Sequence, residues 1–319
     1  MGAHRCPLGC RPPLRVLLAA TLLVFGCSEE AGNDGGIVGP KPPPKLETPH
    51  IAFVSNRGGS VGIHLYDPAT GTVVRLSPAG AYDTAPAISP DGTRIAFEHY
   101  SPDGRFRLMT MAVDGSDRQT CTDDSAASDA DPHWSPDSRY IAFARTNRES
   151  GARDIYAVRR DGLMLARITN DGRSTVLDWS PDGTRLLIVR HVYSWPNLQQ
   201  DVQTLDTATR AATSLFGPTV RNYVGGDYSP DGRRIVLSVG FEGSSAYLLG
   251  TDSTVSFQRW MLQDAGFSSL GHPSWSPDGA WITFSGDDDL FTVTWRYENL
   301  ESVLIDPPMD WDPDWGPKP

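Results

Sequence analysis

A five-residue phrase returns along this chain at a spacing that few folds accommodate. It reads Ile88-Ser89-Pro90-Asp91-Gly92, Trp134-Ser135-Pro136-Asp137-Ser138, Trp179-Ser180-Pro181-Asp182-Gly183, Tyr228-Ser229-Pro230-Asp231-Gly232 and Trp275-Ser276-Pro277-Asp278-Gly279. A worn copy, Trp315-Gly316-Pro317, lies close to Pro319. Apolar triplets follow in step, beginning at Ile95, Ile141, Leu186, Ile235 and Ile282, with an extra one at Ile51. A period of roughly 40–50 residues built of short strands signals a β-propeller. The first triplet has no Ser-Pro-Asp-Gly before it, and the last Trp-Gly-Pro has no triplet after it. A ring accounts for that offset. The expectation is an all-β, six-bladed propeller with four-stranded antiparallel blades, closed in one blade by three strands from the N-terminal side and one from around Asp312–Trp315. Such closure leaves few open sheet edges.

Ser-Pro-Asp-Gly recurs for a physical reason. Proline suits the second position of a type I turn, and glycine takes the left-handed conformation that a three-residue hairpin needs. Ser138 stands where the other copies have glycine, at an expected cost of roughly 1 kcal/mol for a residue with a Cβ. Ser101-Pro102-Asp103-Gly104 matches the phrase by letters but is out of phase, so it reads as a loop within the second blade. In the third repeat, strands are expected near 131–135, 140–144, 154–159 and 165–169, bounded by Gly, Pro, Asn and Asp.

Residues 1–26 read as a targeting segment. Arg5, Arg11 and Arg15 precede an apolar run from Val16 to Phe25 that is too short to span a bilayer. The run ends in Val24-Phe25-Gly26-Cys27, which resembles a bacterial lipobox and makes Cys27 the expected lipidation site. Residues 27–49, rich in Gly and Pro, read as a tether, and 50–319 as the propeller. The expected location is the bacterial cell envelope, held by lipid, in the outer membrane and facing the periplasm. Cys6 and Cys10 leave with the signal and Cys27 is acylated, so Cys121 has no partner for an intramolecular disulfide and reads as a small strand residue. The net charge of −11 argues against a nucleic-acid partner. A monomeric propeller is expected.

The connections fall into two sets. The Ser-Pro-Asp-Gly, Asp114-Gly115 and Asp161-Gly162 turns are short and share one face. The other face carries long, irregular loops, where binding residues commonly sit on a rigid scaffold. Its channel mouth is expected to hold Asp83, Asp129, Asp131, His133, His272, Asp310 and Asp312, with Asp178, Asp227 and Asp314 further in. Arg148 and Trp195 join them from the loops, Trp195 as a stacking surface. Two readings stand for the acids. They form a funnel for a basic side chain or a cation such as calcium, or they hydrogen-bond the backbone between blades. Asp287-Asp288-Asp289 lacks the ligand spacing of a calcium loop and reads as a solvated turn. The repeated tryptophans read as inter-blade core. No cofactor motif and no catalytic motif is recognised.

The phrase Asp131-Pro132-His133-Trp134-Ser135-Pro136-Asp137, with Ile141-Ala142-Phe143, Asn147-Arg148 and Asp154-Ile155-Tyr156, resembles the TolB family of envelope propellers. The resemblance covers about 51–319. It implies a periplasmic propeller that binds an envelope protein, without the α/β domain that precedes the propeller in the family's namesake. The expected function is a non-enzymatic protein- or peptide-binding scaffold at the long-loop face. The competing reading is a carbohydrate-active or metal-assisted enzyme, a lyase or hydrolase using funnel acids and His133, because oligogalacturonide lyases look similar.

Overall fold

Each apolar triplet becomes a strand with apolar neighbours on both sides. Ile51-Ala52-Phe53, Ile95-Ala96-Phe97 and Ile141-Ala142-Phe143 are all buried, which is why these runs are continuously apolar rather than alternating. The computed structural model describes residues 45–194, 197–241, 244–252, 267–295, 299–304 and 309–318. The first sheet holds β1 (His50–Ser55), β2 (Gly62–Asp67) and β3 (Thr72–Arg75). The second holds β4 (Asp83–Ile88), β5 (Arg94–Ser101), β6 (Arg105–Ala112) and β7 (Gln119–Thr120). The third holds β8 (Ala127–Trp134), β9 (Tyr140–Asn147), β10 (Arg153–Arg159) and β11 (Ala166–Arg167). The next holds β12 (Ser174–Trp179), β13 (Arg185–Ser194), β14 (Asn197–Asp206) and β15 (Ala212–Ser214). Then come β16 (Asn222–Tyr228), β17 (Arg234–Phe241) and β18 (Ser244–Asp252). The last sheet holds β19 (Leu270–Trp275), β20 (Trp281–Gly286), β21 (Asp289–Thr294) and β22 (Glu301–Leu304). Finally β23 (Asp310–Gly316) pairs antiparallel with β1, Ile51 facing Trp315, and makes the first sheet four-stranded.

The architecture is an all-β propeller, and it corrects the expected blade count. Among the described residues five blades are complete four-stranded sheets rather than six. The sheet β16-β17-β18 has three strands among the described residues. The even sequence period foretold the repeat but not the strand count of each copy, because the period is set by the inner strand and its turn.

The innermost strands neighbour one another in the cyclic order β23, β4, β8, β12, β16, β19 and back to β23. Trp134, Trp275 and Trp315 are buried between sheets. The out-of-phase Ser101–Gly104 is the hairpin between β5 and β6. Ser138 does take the left-handed conformation, at φ 58°. Its hydroxyl accepts the Asp91 N–H at 2.9 Å, a bond between the second and third sheets that a glycine could not make.

Candidate functional site

Every inner strand has a break in its register. The irregularities lie between Thr84 and Ala87, Ala130 and His133, Val176 and Asp178, Tyr223 and Gly225, and Gly271 and Ser274, and in β23 opposite Ala52–Val54. A bulge re-aims side chains, and here it turns them toward the propeller axis. In four strands the re-aimed residue precedes a proline and has positive φ: Ala85 (47°), Asp131 (54°), His272 (39°) and Asp312 (51°). The proline has no N–H to lose from the ladder at that point. A non-glycine residue held at positive φ costs on the order of 1–3 kcal/mol, and such strain gathers at functional sites.

The result is an axial cavity of about 670 Å³, counting its open mouth. Near the long-loop face it is lined by Ala85, Asp131, Val176, Gly225, His272 and Asp312. Two residues deeper come Ala87, His133, Asp178, Asp227, Ser274 and Asp314. The deeper ring latches neighbouring sheets. The Tyr228 N–H donates to Asp178 Oδ2 at 2.9 Å, and the Trp275 N–H to Asp227 Oδ2 at 2.6 Å. The Trp315 N–H donates to Ser274 Oγ at 3.0 Å, and the Ile88 N–H to Asp314 Oδ2 at 2.6 Å. At the other two junctions the indoles act instead. Trp134 Nε1–H donates to the Ala87 carbonyl at 2.9 Å, and Trp179 Nε1–H to the His133 carbonyl at 3.1 Å.

The shallower ring is a compact charge cluster. His272 Nδ1 lies 2.5 Å from Asp312 Oδ1. Burial alone would lower the His272 pKa, but Asp312, Asp131 and Glu98 overcome it and raise the value to about 9. Glu98 projects from β5, beside the strand that offers only Ala85 and Ala87. It accepts the Asp131 N–H at 2.8 Å and the Thr84 hydroxyl at 3.1 Å. Burial first, and then the Asp131 charge, push Glu98 up to about 8. Burial likewise raises Asp131, Asp178 and Asp314, and lowers His133 to about 3, so that its imidazole is neutral. A concave site where several titratable groups are displaced together is a functional candidate on physical grounds.

Residues 42–181 match the family model of the TolB β-propeller domain. The chain is 33% identical over 152 residues to a TolB homolog of Chlorobium luteolum, covering 47% of this chain and 33% of that one. It is 35% identical over 78 residues to the Tol-Pal system protein TolB of Zymomonas mobilis, covering 24% of this chain and 17% of the relative. The aligned regions thus span a third or less of these two curated relatives. The solved TolB of Acinetobacter baumannii superposes with a TM-score of 0.69 at 19% identity, over 83% of this chain and 66% of that one. The propeller is TolB-like. An oligogalacturonate lyase in complex with manganese shares the fold more loosely, with a TM-score of 0.57 at 13% identity over 79% and 73% of the two chains.

In this TolB-like propeller the residues expected at the mouth divide. Asp131, His133, Asp178, Asp227, His272 and Asp312 converge on the cavity. Asp83, Asp129 and Asp310 do not line it. Asp129 is held by both arms of Arg145, at 2.6 and 2.7 Å, with both side chains buried. Asp83 takes the Ser77 hydroxyl at 2.6 Å, His99 Nδ1 at 2.8 Å and Arg118 at 3.0 Å. Asp310 pairs with Arg57 at 2.5 Å. Arg148 is exposed at the turn between β9 and β10. Trp195 and Cys27 lie outside the described residues. Asp287 accepts the N–H groups of Ser268 and Ser269, as a solvated turn would. Among the described residues no three His, Cys, Asp or Glu side chains are placed to hold a metal ion.

Three features escaped the sequence reading. Glu98 follows an ordinary apolar triplet, and its only signal is that the adjoining inner strand offers Ala85 and Ala87, and no acid, at its lumen positions. Tyr82, Tyr100 and Phe106 form an aromatic cluster on the long-loop face, with Tyr100 and Phe106 ring centroids 5.1 Å apart. Tyr82 and Tyr100 are each 45% exposed. Lys318 enters the cavity from the short-turn end, its Nζ 2.6 Å from Asp227 Oδ2. Its signal is rarity, for the sequence holds only three lysines.

Proposed function

We propose that the protein is a binding scaffold of the bacterial cell envelope, and that its long-loop face grips a protein or peptide segment by inserting a basic side chain into the channel mouth. One observation carries this reading: the two ends of the channel differ. The short-turn end is filled by Lys318, whereas the long-loop end opens onto Asp131 and Asp312, with Glu98 behind them. Two aspartates, Asp131 and Asp312, face the one imidazole there, with Glu98 held mainly protonated behind them, so an entering cation meets a surplus of carboxylate. Tyr82 lies three residues before Ala85 on the same stretch of chain, about 10 Å from the lumen at strand spacing. Tyr100 and Phe106 pack beside it and extend the site as an apolar platform, the kind of surface on which interfaces centre their strongest contacts. The envelope location and the lipid at Cys27 rest on the residues 1–27 pattern, and relatives named for the Tol-Pal system are consistent with an envelope protein as partner.

The test is a peptide array drawn from envelope proteins, probed with the mature chain. The expected binders carry Lys or Arg, lose binding when that residue becomes Ala, and lose it again against the Asp131→Asn/Asp312→Asn protein. Removing one partner of a desolvated charge pair costs about 2–5 kcal/mol. Binders indifferent to both changes would remove this reading.

A further inference from the structure

The short-turn end of the channel already contains a cation, and its surroundings describe a second site. Lys318 follows β23, and its Nζ lies 2.7 and 2.6 Å from the two oxygens of Asp227. Asp178 and Asp314 act on the same ammonium electrostatically, and the three carboxylates hold its pKa above the ordinary lysine value despite burial. These carboxylates do not depend on Lys318 for their positions. Each has an oxygen fixed by a backbone N–H of the neighbouring sheet: Tyr228 for Asp178, Trp275 for Asp227 and Ile88 for Asp314. The cavity therefore sets one carboxylate in direct contact with the ammonium and two more in its lining, and an ammonium offers three donors.

Lys318 also lines an open groove on the outer short-turn surface, together with Lys45, Asp91 and Asp278. It thus borders both that groove and the channel, and the groove offers it acidic company if it withdraws.

We propose that Asp178, Asp227 and Asp314 form a receptor for a primary ammonium, that Lys318 is its resident intramolecular ligand, and that an external primary amine, such as a partner's lysine side chain, takes the same place when Lys318 swings into the groove. The inference is independent of the long-loop reading, because it uses the opposite end of the channel and none of Asp131, His272 or Asp312. A primary ammonium is favoured over a divalent metal because each carboxylate already commits an oxygen to the backbone. The group already bound there is itself an amine.

Two measurements decide. In the wild-type chain, amine-selective methylation followed by peptide mass spectrometry compares Lys318 with the exposed Lys45. Lys318 is expected to react more slowly by roughly tenfold for each unit that ion pairing adds to its pKa, and Asp227→Asn to remove that protection. Equal rates in the wild type would overturn the proposal. In Lys318→Ala, which leaves the receptor empty, n-propylammonium is expected to raise the melting temperature. Tetramethylammonium at matched ionic strength should not, and the wild type should respond to neither. Equal rescue by tetramethylammonium, stronger rescue by calcium, or no rescue would each overturn it. If Lys318→Ala does not fold, the methylation rates in the wild type decide alone.

Discussion

Glu98 is a carboxylic acid that folding makes reluctant to ionise. Its pKa rises from 4.5 to about 8, first through burial and then through the Asp131 charge. A group whose pKa is raised on folding contributes stability that is whole below its unfolded value and is lost as pH climbs through the folded one. His272, raised from 6.5 to about 9, acts in the same direction over a higher window. These two groups therefore pull stability down as pH rises, Glu98 between about 5 and 8 and His272 between about 6.5 and 9, while the buried His133 and His64, both lowered, pull the other way below 6.5. Glu98→Gln keeps an acceptor for the Asp131 N–H but cannot ionise, so it should flatten the fall between pH 5 and 8, read from urea midpoints. An unaltered slope would deny Glu98 that role. The same neighbourhood shows why individual acids were hard to sort from sequence. Asp129 and Asp131 stand two apart, and plain strand alternation puts them on one face. The bulge between Ala130 and His133 separates their fates, sending Asp131 to the lumen and leaving Asp129 with Arg145. Nothing in composition marks a bulge. The Asp131-Pro132 step was the available hint.

At the scale of the element, the recurring turn was the most legible part of the chain, because proline and glycine have narrow conformational preferences. Its single exception is instructive. Relieving the left-handed strain at Ser138 gains roughly 1 kcal/mol, whereas losing the hydroxyl that accepts the Asp91 N–H costs about 0.5–1.5 kcal/mol. Ser138→Gly should thus leave the melting temperature nearly unchanged. Gly92→Ala is the contrasting case. Gly92 has φ +68°, and an added Cβ would lie 2.8 Å from the Leu46 carbonyl oxygen. That variant should lose roughly 2 kcal/mol or more from the left-handed penalty and the clash together. A neutral Gly92→Ala would show that the segment around Leu46 yields freely. The strand count of the β16–β18 sheet was not legible, since outer strands such as β7 and β11 are two residues long and leave almost no pattern to read.

For the whole molecule, closure rests on one pairing. β23 supplies the inner strand of the first sheet, the Asp314 latch to Ile88 and the Lys318 ammonium. A chain ending before Asp310 should lose all three at once and expose the buried edge of β1. Because a domain's net stability is only about 5–15 kcal/mol, such a chain is expected to show no cooperative thermal transition. A sharp transition near that of the full protein would mean the ring holds without its clasp. The chain's two ends betrayed this pairing through the unmatched triplet at Ile51 and the unmatched tryptophan at Trp315. The division of the channel into a filled end and an open end was invisible, since it depends on where one lysine side chain travels after β23.

That clasp also sets an order of events during synthesis. β1 meets its inner companion β23 only after the five sheets between them have been made. Until then β1 carries a bare row of amide and carbonyl groups along its inner edge, open to any passing strand. A holding chaperone would matter most at this early segment, and least for the sheets whose strands follow one another directly.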